Sequence, residues 1–339
     1  MEQNSDSQQK KFVLLCLLPV IVFFLSLFLG RYPISPGEVG HVLLSPFFNF
    51  DMQGYELQES VIVGIRMPRV LLAMLVGAGL SVSGAACQGI FKNPLVSPDL
   101  LGVSAGAGFG AVLGILLVGN GPLVTLSALF FGLISVVIVF AISKINNTTP
   151  ILSLVLAGII VSSIFAALIA LVKYVADPYD KLPTIVYWLM GSFAKASYDD
   201  LMLVIIPISA GMIILLLLRW RINILSLGDD EASSLGEKPE RMRWLIILSV
   251  TVIAASAVTV AGIIGWVGLV IPHICRMIMG VDHKLLLPAT ILIGASFLAA
   301  IDIIARTATP AEIPIGILTA IIGAPFFALL LNRMKRGWI

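Results

Sequence analysis

The sequence predicts an all-α, polytopic membrane protein of about ten transmembrane helices, and three observations carry that reading. Of 339 residues, 59% are hydrophobic and only 12% are charged, which excludes both a soluble α/β enzyme and a disordered chain. Apolar runs of about 20 residues recur from one end to the other, the length of helix that crosses roughly 30 Å of hydrocarbon. Nowhere does polarity alternate every second residue, as the strands of a membrane barrel would require.

The first span, about 12–30, follows a polar leader (1–11) that contains Lys10 and Lys11. It lacks a convincing small-residue cleavage site before Arg31, so it reads as a retained helix. Further spans fall at about 68–90, 99–118, 123–143, 151–172, 201–219, 244–262, 265–279, 286–304 and 314–332. A ten-helix transmembrane domain therefore covers 12–332, with a cytoplasmic loop at 219–243 and a tail at 333–339. With the N-terminus inside, 14 of the 21 basic residues lie on the cytoplasmic side, a bias that favours both termini there. Two outer segments are long: 31–67, and 173–200, where Tyr187 and Trp188 suit a short interfacial helix. Cys16, Cys87 and Cys275 lie in apolar segments at unrelated spacings and read as packing residues.

Gly102, Gly106, Gly110 and Gly114 recur every four residues and predict a helix-packing groove along the third span. A second row, Gly77, Ser81, Ala85 and Gly89, lies on the span before it. Arg66 and Arg69, around Pro68, belong at the outer mouth of that span, and Arg306 belongs at the outer end of the ninth. Snorkelling to headgroups is one role for such arginines; clamping carboxylates of an extracytoplasmic partner is the other. Asp302 and Arg306, four residues apart, predict a pair on one helix face. Pro272 and His273 in the eighth span read as a bend with a hydrogen-bonding histidine, and no HExxH makes that histidine a zinc ligand.

The acidic, Gly-punctuated stretch Leu225–Gly236 (LSLGDDEASSLG) on the inner side predicts a docking platform. No GxxxxGK[ST] motif occurs, so the energy for any pumping belongs to another polypeptide. Nothing in the chain reads as a nucleophile elbow, a metal cluster or a nucleic-acid surface, and no residue is assigned a catalytic role.

These residues together resemble the FecCD-type permeases, the membrane subunits of type II ABC importers for iron-siderophore complexes, haem and vitamin B12. The resemblance rests on IRMPR at 65–69, GLSVSGAACQGIFKNPLVSPDLLGVSAGAG at 79–108, WLMGS at 188–192 and LGDDEASSLG at 227–236. It extends through AGIIGWVGLVIPHICR at 261–276 and DIIARTATPAEIPIGILTAIIGAPFF at 302–327; Trp266 departs from a more usual Phe. It implies a permease that dimerises, as a homodimer, around a central translocation pathway. Two ATP-binding subunits carrying ATP and Mg would sit below, and an extracytoplasmic substrate-binding protein above. It implies binding-protein docking by Arg66, Arg69 and Arg306, and ATPase coupling by Leu227, Gly228, Asp229, Asp230, Glu231, Ala232, Leu235 and Gly236. The inner gate region would correspond to Asn147, Thr148, Thr149, Pro150, Ile151 and Leu152. The expected setting is a prokaryotic cytoplasmic membrane and the expected cargo a metal chelate, iron-siderophore first, with haem, vitamin B12 and oxyanions such as molybdate behind it. A secondary carrier driven by an ion gradient is the rival, and the scarcity of acids within the spans argues against it.

Overall fold

The computed structural model describes residues 2–48, 51–119, 121–144 and 150–334, and among these it contains helices and no strands. Helix α1 (Glu2–Phe28) already includes the polar leader, so leader and first span form one rod. The outer segment after it holds α2 (Pro36–Phe48) and α3 (Glu56–Glu59). A π-turn at Ser60–Arg66 then runs without a break into α4 (Met67–Ile90), so the second span is the inner part of a 35-residue rod.

A 3₁₀ turn, Pro98–Leu101, precedes α5 (Val103–Val118), and α6 (Pro122–Ser143), α7 (Ile151–Val175), α8 (Lys181–Leu189) and α9 (Tyr198–Leu217) follow. The short helix expected around Tyr187 is α8. Next come α10 (Arg219–Leu227), α11 (Asp229–Ser234), α12 (Pro239–Ala261), α13 (Val267–Met279), α14 (His283–Thr307) and α15 (Ile315–Met334). Seven rods are long and apolar enough to cross a membrane, and the shorter α5, α13 and α15 supply the three remaining apolar segments.

Burial sorts these rods into layers. In α4, 83% of the most apolar stretch is buried, against 22% in α1 and 28% in α7 and α9. Helix α4 is therefore the axial element, and its small side chains explain why. Gly77 and Ser81 lie against the backbone of α14 at Gly294, and Gly84 lies against the carbonyl of Gly268 in α13. With no aqueous driving force between spans, such close backbone approach is what holds membrane helices together.

The predicted glycine groove is real over three of its four members. At Gly106 and Gly110 an added Cβ would run into the carbonyls of Phe131 and Ser127 in α6, and at Gly114 it would lie 2.9 Å from the Cα of Val124. Gly102 is a different case. It sits at φ 77°, where the 3₁₀ turn hands over to α5, and its role is to supply the left-handed joint that ends the turn. The spacing of four reads the same for a cap as for a seam, which is why the sequence groups it with the others. The helix accordingly starts at Val103 rather than near 99.

Candidate functional sites at the two ends

The antiparallel rods bring the N-terminus of α4 and the C-termini of α1 and α14 to one end. The C-terminus of α4 and the N-terminus of α14 meet α10 and α11 at the other.

At the first end Arg66, Arg69 and Arg306 do converge, but inside the protein. Their residues are 3%, 5% and 6% exposed, so none of the guanidiniums stands at the mouth as expected. Helix α1 explains two of them. Its last turn leaves carbonyls without helical partners, and that end carries the negative pole of the helix dipole. The Leu25 carbonyl is taken by the amide of Leu29. Ser26 accepts from Arg306 through both its carbonyl and its hydroxyl, each at 2.6 Å. Arg66 donates to the carbonyls of Leu27 (2.5 Å), Phe28 (3.0 Å) and Tyr32. Gly30 makes room for that side chain, since a Cβ there would lie 2.8 Å from the Arg66 Cζ.

Arg69 is the hub. It donates to both oxygens of Asp302 and, through its two terminal nitrogens, to both oxygens of Glu312, at 2.8–3.0 Å. The expected Asp302–Arg306 pair is present but longer, 3.6 Å, so Asp302 serves Arg69 first. Arg31 completes the set by donating to the Arg306 carbonyl at 3.3 Å. The cluster thus ties α1, α4, α14 and the loop that follows α14 into one unit. Sequence reasoning missed Glu312, which looks like an ordinary loop acid in PAEIP.

On the same side a cavity of about 810 Å³ opens between the start of α6, α8, the start of α9 and the end of α12. Thr125, Tyr187, Trp188, Lys195, Asp200 and Gly262 are among its walls. Tyr198 shows that this is the arginine end, because its hydroxyl donates to the Val63 carbonyl in the π-turn leading to α4.

At the opposite end, α10 and α11 meet at Gly228, whose φ of 152° only glycine adopts easily. Asp229, Asp230 and Glu231 occupy the first turn of α11, where their charge complements the helix dipole. The short helix ends in a reversal: Glu237 N–H donates to the Ala232 carbonyl and Gly236 N–H to that of Ser233, with Gly236 at φ 82°. Ala232 is fully buried and Asp229 pairs with Arg243 at 2.8 Å, so one face of α11 is pinned to the bundle. The exposed side presents Asp230 and Glu231 of α11 between Leu227, the last residue of α10, and Leu235, which follows α11; each leucine is 61% exposed. Two solvent-facing leucines flanking acids form a small amphipathic knob.

Of the expected gate residues, Asn147, Thr148 and Thr149 lie outside the described residues. Pro150 stands at the start of α7, followed by half-buried Ile151 and by Leu152, 69% exposed. His273 is buried with no hydrogen-bond partner on Nδ1 among the described residues; its ring faces Phe326 at 6.2 Å. The expected hydrogen-bonding histidine is instead one packed against an aromatic ring. Cys87 and Cys275 are buried as expected, while Cys16 is exposed on α1.

Comparison with known proteins places this geometry. A family model described as the FecCD transport family matches residues 17–333. A molybdate import system permease of Haemophilus influenzae is 43% identical over 98% of each chain. A Helicobacter pylori protein described as a probable iron chelatin transport system permease is 44% identical over 81% of this chain and 83% of its own. A solved inward-facing conformation of a metal-chelate type ABC transporter superposes with a TM-score of 0.86 at 42% identity, covering 96% of this chain and 99% of that one.

Proposed function

The chain belongs to the FecCD transport family, and from that premise we propose that it forms the membrane path for a metal chelate, with iron-siderophore the first candidate and haem or vitamin B12 next. It is a permease of an ABC importer, a transport component rather than the ATPase. The observation that carries the mechanism is the amphipathic knob of α11, pinned on one face by Ala232 and Arg243 and open on the other.

In this reading two ATP-binding subunits, holding ATP and Mg, each take one such knob from a homodimer of permeases. Closure of the motors moves α10 and α11, and the rods α9 and α12 that flank them transmit the movement to the opposite end. Such a switch works only because each ligand favours one conformation over the other. The arginine end faces outward from a prokaryotic cytoplasmic membrane with both termini inside, and there a binding protein delivers cargo near the cavity walled by Tyr187 and Trp188. Arg66, Arg69 and Arg306 serve docking indirectly, by fixing the ends of α1 and α14 and the loop of Glu312 on which a partner would rest.

An oxyanion such as molybdate is the second reading, favoured because a relative 43% identical over 98% of each chain is a molybdate permease. Both readings are tested in proteoliposomes that contain the permease, its ATPase and its binding protein, offered ferric siderophore, haem, cobalamin or molybdate. ATP-dependent uptake of one of the chelates is expected, and uptake of molybdate alone would replace the first reading with the second. Gly236→Pro, or removal of Asp229–Glu231, should abolish uptake while hydrolysis continues; normal uptake would remove α11 from the mechanism. Accumulation by the permease alone under an ion gradient would overturn the whole reading.

A further inference from the structure

Helix α9 leaves the bundle through a stripe of exposed apolar side chains, Ile213 and Leu217, 56% and 76% exposed. The stripe does not stop where the helix stops. Trp220, seven residues after Ile213 and 54% exposed, continues it into α10. One cation lies over that tryptophan, and a second is tied to the first. The Nζ of Lys284, at the start of α14, lies 4.4 Å from the centroid of its ring, and the guanidinium of Arg219 donates to the Lys284 carbonyl at 3.3 Å. Neither cation forms a salt bridge among the described residues, in contrast to Arg221, which pairs with Glu237, and Arg243, which pairs with Asp229. The nearest acid on the same loop, Asp282, accepts from the amide of Lys284 and the side chain of Asn223 and offsets part of the Lys284 charge without pairing with it directly. Val281, 75% exposed, adds apolar surface beside the cluster.

We propose that Arg219, Trp220 and Lys284 form a binding site for the headgroup of an anionic phospholipid at the edge of the bilayer. The chemistry fits at each point. Tryptophan prefers the headgroup level, basic side chains next to a span attract anionic lipid, and a guanidinium beside an ammonium matches a phosphodiester. Continuity with the lipid-facing stripe of α9 favours a lipid over a soluble partner, whose surface would begin at the knob of α11 rather than at the membrane edge. Helix α10 joins α9 directly to that knob, so a phospholipid held here fixes the base on which α11 moves. The inference needs only that the chain spans a membrane and makes no use of the cargo.

The test uses purified full-length permease and native mass spectrometry with phosphatidylglycerol and phosphatidylcholine as probes. Replacing both cations, Arg219→Gln with Lys284→Gln, should weaken phosphatidylglycerol binding about tenfold or more, the size that two basic residues near an anionic surface supply. Phosphatidylcholine binding should not change. The charge-matched control Arg221→Gln with Arg241→Gln should bind phosphatidylglycerol like the parent. Undiminished binding in the first variant, or an equal loss in the control, overturns the proposal. A second measurement leaves both cations intact: the fluorescence lost in Trp220→Phe identifies the Trp220 signal. Brominated phosphatidylglycerol should quench that signal more than brominated phosphatidylcholine. No quenching by either lipid, or shielding of Trp220 by the ATPase subunit in the assembled transporter, overturns it equally.

Discussion

At one end of the bundle the Asp302 side chain is 1% exposed and lies between Arg69 and Arg306; at the other, Asp229 pairs with Arg243 while 54% of its side chain stays in solvent. Both are acid–arginine pairs with the same 2.8 Å closest approach, Asp302 to Arg69 and Asp229 to Arg243. Burial separates what they do. A buried carboxylate left without its arginines, or arginines left without the carboxylate, strand a charge that neither water nor lipid can solvate. The second pair is half open: water can take over the Asp229 carboxylate, while the Arg243 side chain, 7% exposed, is as buried as that of Arg69. The arginine end is therefore fastened on both sides of its ion pairs, and the α11 end on one side only, which is the contrast that the proposed coupling role draws on. Three outer arginines that suggest a docking patch in the sequence are, in the folded chain, the fastening of α1 and of the loop after α14.

The largest effect should come from Asp302→Ala, which leaves Arg69 and Arg306 buried with only Glu312 as a carboxylate partner. A loss of about 3–5 kcal/mol is expected, read as a lower melting temperature of the detergent-purified permease. Arg69→Glu should behave in the same way, so a docking defect in that variant would follow from a loosened outer end. If Asp302→Ala melts like the parent, the contrast between the ends collapses. A smaller effect, about 1–3 kcal/mol, is expected for Gly110→Val, because its side chain must displace the α6 backbone at Ser127. Gly102→Val tests the distinction drawn within that row. It should instead disturb the turn before α5, since its neighbours leave room for a Cβ at 3.5 Å while its φ of 77° does not suit a branched residue.

Much of this architecture is legible because hydrophobicity is local. Ten apolar segments, the interfacial α8 and the acidic start of α11 each declare themselves within about twenty residues. The arginine cluster does not. Arg69 finds Asp302 and Glu312 at separations of 233 and 243 residues, and only the Asp302–Arg306 pair lies within the reach of helical periodicity. The carbonyls at the end of α1 leave no mark in the sequence at all, since every residue carries one. Arg66 and Arg69 do flank the start of α4, but the expected exposure is absent, because exposure depends on the neighbours that the fold supplies. The Trp220 cluster was missed for the same reason, Lys284 lying 64 residues further along the chain.

The smallest expected effect sharpens the comparison most. Asp229→Asn removes the charge that buried Arg243 holds, but Asp229 is itself more than half in solvent, so the cost to stability should be about 1 kcal/mol, well below that of Asp302→Ala. The amide keeps the size of the side chain and can still accept a hydrogen bond, so α11 should keep its place against the bundle. If melting is nearly unchanged while coupled uptake falls, stability and motion are divided between the two ends as the burial pattern implies. If Asp229→Asn lowers melting as much as Asp302→Ala does, the α11 end is as rigidly fastened as the arginine end. In that event the knob is not a lever resting on the bundle, and movement would have to enter through α10 instead.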